Sequence, residues 1–237
     1  MKEDLPILIE PSLLSCDFGN IADESKRVED AGADAIHIDI MDGHFVPNLT
    51  LGPKAVAAVN RATDLFLDVH VMIYNPYDYI ERLVEAGADR ITFHIEATED
   101  VGETLDYIRK CNIEAGLAIR PETSPELITR YLNRCDLILI MTVNPGFGGQ
   151  AFMPEMLDKI AYTRHAVDQM KVRKGGILAD EKSGELPPFN IQVDGGIDDK
   201  TAALCYDKGA NVFVSGTYLY EATDMKQRIE GLRKVGQ

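Results

Sequence analysis

No stretch of this 237-residue sequence approaches the ~20 apolar residues that a membrane crossing needs. Met1 to Glu10 place Lys2, Glu3 and Asp4 ahead of a short apolar run, without the basic start and long apolar core of a secretory signal. These two absences predict a soluble, cytoplasmic protein. Cysteine is sparse: Cys16, Cys111, Cys135 and Cys205 are scattered, with no CxxC pair, which excludes a disulfide scaffold and predicts reduced thiols acting as small hydrophobes. Basic residues are outnumbered, 24 Lys and Arg against 39 Asp and Glu. The formal charge of −15 argues against nucleic acid and anionic membranes as partners, because the mean field would repel both. No Gly/Ser-rich linker or low-complexity tract divides the chain, so residues 1–237 are read as one domain in preference to two small ones.

What is present is a rhythm. Eight β-rich runs recur: Ile7 to Leu14, Ala35 to Met41, Leu67 to Ile73, Arg90 to Ala97, Ala115 to Arg120, Leu137 to Val143, Ile191 to Ile197 and Val212 to Leu219. Amphipathic stretches lie between them, among them Ile21 to Ala31, Tyr77 to Ala86, Val101 to Cys111, Pro125 to Leu132, Pro154 to Met170 and Asp199 to Lys208. Gly32, Gly87 and Gly209 each stand where a helix stops and a strand follows. Regular βα alternation predicts a parallel sheet, and eight units fit a closed (β/α)8 TIM barrel better than an open doubly wound sheet. One segment breaks the rhythm: 171–188, with Arg173-Lys174-Gly175-Gly176 and Lys182-Ser183-Gly184-Glu185, reads as a polar surface insertion.

In such a barrel, side chains at the C-terminal strand ends share one pocket. Period-two alternation puts His37, Asp39 and Met41 on one face of the second strand, and Asp68, His70 and Met72 on one face of the third. The seventh strand ends at Asp194, beside Gly195 and Gly196. Each residue alone has an ordinary alternative, a satisfied core histidine or a helix-capping aspartate. Together, His37, Asp39, His70 and Asp194 mix imidazole and carboxylate in a way that suits Zn2+, Fe2+, Mn2+ or Co2+ rather than Mg2+ or Ca2+.

An anion site is harder to see. From Thr142 to Glu155 there is neither Lys nor Arg, yet Gly146-Phe147-Gly148-Gly149 is a Gly-rich loop whose backbone N–H groups could hold a phosphate. Gly195-Gly196 and Ser215-Gly216-Thr217 stand where barrels commonly bind phosphate, although each cluster alone could equally be a plain turn.

The run His37-Ile38-Asp39-Ile40-Met41-Asp42-Gly43-His44-Phe45-Val46-Pro47-Asn48 resembles the signature of the ribulose-phosphate 3-epimerase family. Pro11-Ser12, Asp68 to Met72, Thr92-Phe93-His94, Met141 to Gln150 and Val193 to Gly196 resemble that family in the same order, nearly end to end. Two departures stand out: Gly216-Thr217 where Gly-Ser is more usual, and the long insertion. The resemblance implies one divalent metal, Zn2+ first among the candidates, held by His37, Asp39, His70 and Asp194. It also implies that Asp39 and Asp194 act as acid and base on opposite faces of a sugar phosphate, through a cis-enediolate. Ser12 and His70 would touch substrate, and Met41, Met72 and Met141 would form an apolar floor. The glycines of the loop from Pro145 to Phe152 suggest a lid that closes over bound phosphate, so that a β-branched residue at Gly148 should raise KM. A homo-oligomer in pentose phosphate metabolism is implied with them. Two rivals remain: a D-allulose-6-phosphate 3-epimerase, with the same mechanism on a longer sugar, and a non-catalytic sugar-phosphate binding barrel. Orotidine-phosphate decarboxylation is set aside, because Asp39-Ile40-Met41-Asp42 lacks the lysine of a DxKxxD arrangement.

Overall fold

The computed structural model describes residues 5–178 and 186–236. In β2 (Ala35–Met41) and β3 (Phe66–Met72), branched aliphatics alternate with His, Asp and Met, and alternation sends the two sets to opposite faces. Ile36, Ile38, Ile40, Leu67, Val69 and Val71 join one large apolar layer between sheet and helices, and the other set turns inward. Strands covered on both faces belong in a parallel sheet with helices outside. The same division holds in β1 (Leu8–Pro11), β4 (Arg90–His94), β5 (Glu114–Ile119), β6 (Leu137–Met141), β9 (Asn190–Asp194) and β10 (Val212–Ser215).

These eight strands form one all-parallel sheet in the order β1-β10-β9-β6-β5-β4-β3-β2. A parallel bridge between Ser12 and His37 joins its two ends, giving the barrel that the alternation predicts. Around it run α1 (Ile21–Asp30), α2 (Pro53–Ala62), α3 (Ile80–Glu85), α4 (Val101–Lys110), α5 (Met156–Met170), α6 (Asp199–Lys208), α7 (Thr217–Tyr220) and α8 (Met225–Leu232).

Several boundaries differ from the sequence expectation. Pro125–Tyr131 is a 3-10 helix, with only Ile128 buried along it. The first, fourth and eighth strands stop earlier than their apolar runs, at Pro11, His94 and Ser215, and each run continues as a short helix where ladder pairing ends. The segment 171–188 is not simply a loop. Val172–Arg173 (β7) and Ile177–Leu178 (β8) pair as an antiparallel hairpin, and Arg109 Nη2 donates to the Gly175 carbonyl at 2.5 Å. The rest of the expected insertion, 179–185, lies outside the described residues.

One device recurs at the N-terminal end of the barrel. The residue entering every second strand brackets the preceding strand: its side-chain oxygen accepts a backbone N–H and its own N–H returns to the same residue's carbonyl. Asp34 does this to Ile9 (2.7 and 3.0 Å), Asp89 to Leu67 (2.8 and 3.0 Å), Asp136 to Ala115 (2.8 and 2.7 Å) and Asn211 to Ile191 (2.9 and 3.0 Å). The stretches Ala31 to Asp34, Ala86 to Asp89 and Lys208 to Asn211 are therefore more than helix stops. Their glycines, at φ +81°, +100° and +106°, reverse the chain, and the polar residue two places on ties two strands together.

The interior is divided. Ala118, Leu137, Leu139, Met141, Val143 and Val212 fill one side with apolar groups. Glu10, His37, Asp39, Asp68, His70, Arg90, Thr92 and Gln192 occupy the other, all buried. Because the Ala115 N–H is buried, Asp136→Ala leaves it unpaired and is expected to cost about 1–3 kcal/mol in urea denaturation. Asp136→Asn should keep most of that stability, since Asn211 forms the same bracket; equal losses in both variants would contradict the bracket.

Candidate active site

At the C-terminal end of the strands lies a cavity of about 370 Å³. Ladder register decides what meets there. Asp39 lies opposite His70 and Met41 opposite Met72 in the β2–β3 pair, and Met141 lies opposite Asp194 in the β6–β9 pair. His37 Nε2 and His70 Nδ1 stand 3.3 and 3.0 Å from one oxygen of Asp39. With Asp194 they offer four ligand atoms, all within 4.8 Å of one another. The fit to a divalent cation rests on a specific atom: His37 Nε2 is buried and makes no hydrogen bond. A buried nitrogen without a partner is rare, and here it borders the other three donors.

The electrostatics push the two carboxylates apart. For Asp39, burial alone would raise the carboxyl, but His37 and then His70 outweigh it and hold it well below the usual range. Asp194 is pushed up to about 6, first by burial and then by the charge of Asp39. His37 shows the complement of Asp39: burial opposes its charged form, but Asp39 and Asp68 overcome that and raise it well above the ordinary value.

Supports for these residues were not legible from spacing. His37 Nδ1 lies 2.7 Å from Asp68 Oδ2, and Asp68 in turn accepts from Arg90 Nε at 2.8 Å and Gln192 Nε2 at 2.7 Å. Arg90 also reaches Glu10 at 2.8 and 3.0 Å. Glu10, His37 and Asp68 thus form a second acidic cluster that the protein's own Arg90 and Gln192 already occupy. His70 Nε2 faces His94 Nε2 at 2.9 Å. Burial brings His94 down to about 4. For Glu96 burial acts upward, but hydrogen bonds from His94 and its other donors prevail and bring it to about 2. Two hydroxyls pin the backbones of the paired carboxylates: Thr50 donates to the Asp39 carbonyl at 2.8 Å, and Thr142 to those of Asp194 and Gly195 at 2.9 and 2.6 Å.

Ser12, expected to touch substrate, lines the cavity and donates to Asp39 Oδ2 at 2.7 Å. Met41, Met72 and Met141 line it too; Met41 and Met72 pack with Phe45 and Val46, while Met141 joins the apolar side of the barrel. His37 and His70 lie fully buried beneath.

Further along the cavity Gly146, Phe147, Gly148, Gly149, Gly195, Gly196, Gly216 and Thr217 come together, and among the described residues no Lys or Arg lines it. Thr217 begins α7. A residue not foreseen, Ser15, also lines this end, with its Oγ 2.4 Å from where a Cβ on Gly216 would stand. The Gly146–Gly149 loop is tied down: Asn48 Nδ2 donates to the Gly146 carbonyl at 2.7 Å, and Gln150 Nε2 donates to Asn144 and Phe147 carbonyls at 2.7 and 2.8 Å. Phe147 remains 53% exposed. At Gly148 a Cβ would make ordinary contacts at 3.8 and 3.9 Å, whereas Gly146 at φ +126° and Gly149 at φ +72° carry the backbone requirement.

A barrel with its buried polar constellation at the C-terminal strand ends belongs to the enzyme class of this architecture. Residues 8–220 match the Ribulose-phosphate 3 epimerase family, and the chain belongs to it. It is 48% identical over 225 residues to a ribulose-phosphate 3-epimerase of Chlamydia pneumoniae, covering 95% of this chain and 93% of that one. A Bacillus subtilis protein of the same name is 43% identical over 227 residues, covering 96% and 98%. Among solved structures, KGPDC from Streptococcus mutans shares the fold at a TM-score of 0.68 and 14% identity, covering 98% of this chain and 97% of that one.

Gly196 separates backbone demand from mere small size. At φ +65° its Cβ would stand 2.6 Å from the Phe152 nitrogen, so Gly196→Ala should cost at least about 1–2 kcal/mol in urea denaturation. Gly148→Ala should stay within about 0.5 kcal/mol. Equal losses in the two would contradict this reading of the loop.

Proposed function

We propose that this chain interconverts D-ribulose 5-phosphate and D-xylulose 5-phosphate, with Asp39 and Asp194 exchanging the proton at C3. The observation that carries the reading is the pair of carboxylates on β2 and β9, three places apart around the ring and both lining one cavity. Inversion at a carbon α to a carbonyl needs one group to take a proton on one face and another to return one on the opposite face. Two carboxylates reaching one cavity from different sides of the ring suit that division.

Asp39 would act as base in its ionised form, oriented by Ser12 through one oxygen and by His70 beside the other. Asp194, lining the same cavity from β9, would be the acid on the other side. The roles exchange in the reverse direction. His37, Asp39, His70 and Asp194 would hold one divalent cation, Zn2+ first and Fe2+, Mn2+ or Co2+ as alternatives. When bound, that cation supplies Lewis-acid stabilisation of the negative charge developing on the sugar's C2 oxygen.

The methionines exclude water from the reacting carbon, which limits proton exchange with solvent and strengthens nearby electrostatics. The phosphate would rest on backbone N–H groups of Gly195-Gly196, Gly216-Thr217 and the Gly146–Gly149 loop, with the Thr217 and Ser15 hydroxyls beside it. Backbone dipoles can hold a dianion locally in a chain whose net charge of −15 would otherwise repel it. Residues 1–237 are read as one domain. A cytoplasmic location is supported by a 40% identical rice relative named a cytoplasmic isoform, and among the described residues no helix is long and apolar enough to cross a membrane.

The test is epimerisation of D-ribulose 5-phosphate in D2O, on protein stripped of metal and then restored with Zn2+, Mn2+ or Fe2+. Expected are metal-dependent turnover with deuterium at C3, and losses of about 10²–10⁴-fold or more in Asp39→Asn and Asp194→Asn. Turnover of D-allulose 6-phosphate alone would move the substrate to the longer sugar. Full activity in either variant would overturn the two-base assignment.

A further inference from the structure

We infer that Glu96, acting through His94, determines which ring nitrogen of His70 is left without a proton, and so prepares His70 as a metal ligand. This rests on the proposed role of His70.

The residues form a line from the end of β4 to the centre of the site. Glu96 Oε1 accepts the Arg120 N–H at 3.0 Å and also accepts the Thr123 hydroxyl, and Glu96 Oε2 lies 3.3 Å from His94 Nδ1. His94 Nε2 lies 2.9 Å from His70 Nε2, and His70 Nδ1 lies 3.0 Å from Asp39 Oδ1. Neither imidazole is exposed.

The logic is that of donors and acceptors. A carboxylate only accepts, so Glu96 demands a hydrogen on His94 Nδ1. A neutral His94 then has a bare Nε2 and must accept, which puts the proton of His70 on Nε2. That leaves His70 Nδ1 bare, facing an oxygen of Asp39. Two acceptors facing one another are unfavourable until a cation stands between them, so this proton arrangement favours metal. At His37, Asp68 Oδ2 stands 2.7 Å from Nδ1, in the place that His94 takes beside His70. Such outer partners commonly fix the tautomer of a ligating histidine.

Packing holds the line in place. The His94 ring lies between those of His70 and Phe45, at 5.0 Å from each, and the Arg120 guanidinium stacks over Phe45 at 3.8 Å. Glu96→Gln would keep this shape and reverse the line. The amide oxygen would stay with Arg120 and Thr123, and its NH2 would face His94 Nδ1. His94 would then donate from Nε2, and the His70 proton would move to Nδ1, where it competes with the cation. Glu96 and His94 are thus positioning residues, acting on the metal through His70.

The experiment measures Zn2+ and Co2+ affinity by chelator competition at fixed pH, with the Co2+ absorption spectrum, on the full chain. Glu96→Gln should weaken binding about 10- to 100-fold. Thr123→Val, which removes one donor to Glu96 without touching His94, should leave affinity nearly unchanged. In a His94→Phe background, Glu96→Gln should have no further effect, because the line is already cut. Wild-type affinity in Glu96→Gln, an equal loss in Thr123→Val, or an undiminished second loss in the His94→Phe background would each overturn the inference. Should Glu96→Gln fail to fold, histidine 15N shifts of the wild-type protein with Zn2+ decide the matter: a hydrogen on His94 Nδ1 supports the line, and one on Nε2 alone refutes it. Wild-type protein that binds neither ion would refute the proposed metal site itself.

Discussion

The carboxylate of Asp39 has 3% of its surface exposed, accepts the hydroxyl of Ser12 and faces one nitrogen of each of two imidazoles. Much of the barrel's polar side can be understood as support for that one buried charge. His37 stays in place because Asp68 holds its far nitrogen, and Asp68 can be ionised in a dry interior because Arg90 and Gln192 bind it. Arg90 answers three carboxylates, Glu10, Asp68 and Glu114. Removing a member of such a network would leave a buried charge alone, an error worth several kcal/mol in general.

Chemistry and stability divide along the barrel axis. At one end, four Asp or Asn brackets fasten strands in pairs, including the seam between β1 and β2. At the other, threonine hydroxyls fix the carbonyls of Asp39 and Asp194, and loops from β2 and β6 are tied through Asn48 and Gly146. The site is built on strands, with loops covering it. That arrangement holds the carboxylates of Asp39 and Asp194 on strands rather than on loops.

The inward faces of β2 and β3 could be read directly, because alternation in a buried strand leaves no choice about which side His37, Asp39 and His70 take. The seventh-strand Asp194 followed from its place beside two glycines. Less was legible where geometry depends on several elements at once. Asp68 shares the inward face with His70, yet its partners come from β2, β4 and β9, and spacing cannot show them. Glu96 stands beyond its strand end and acquires meaning only from a contact with His94 and loop donors after β5. Helix α2 buries only Val56 and Val59 among alanines, which leaves a short apolar stripe to read. A cluster of glycines in a sequence does not say which of them carries a positive φ, here Gly146 and Gly149.

Anomalous diffraction from crystals grown with Zn2+ measures the central claim most directly. The account predicts one ion at about 2.0–2.2 Å from His37 Nε2, His70 Nδ1 and an oxygen each of Asp39 and Asp194. An ion seated instead between Glu10 and Asp68, or a centre that stays empty at saturating Zn2+, would contradict it.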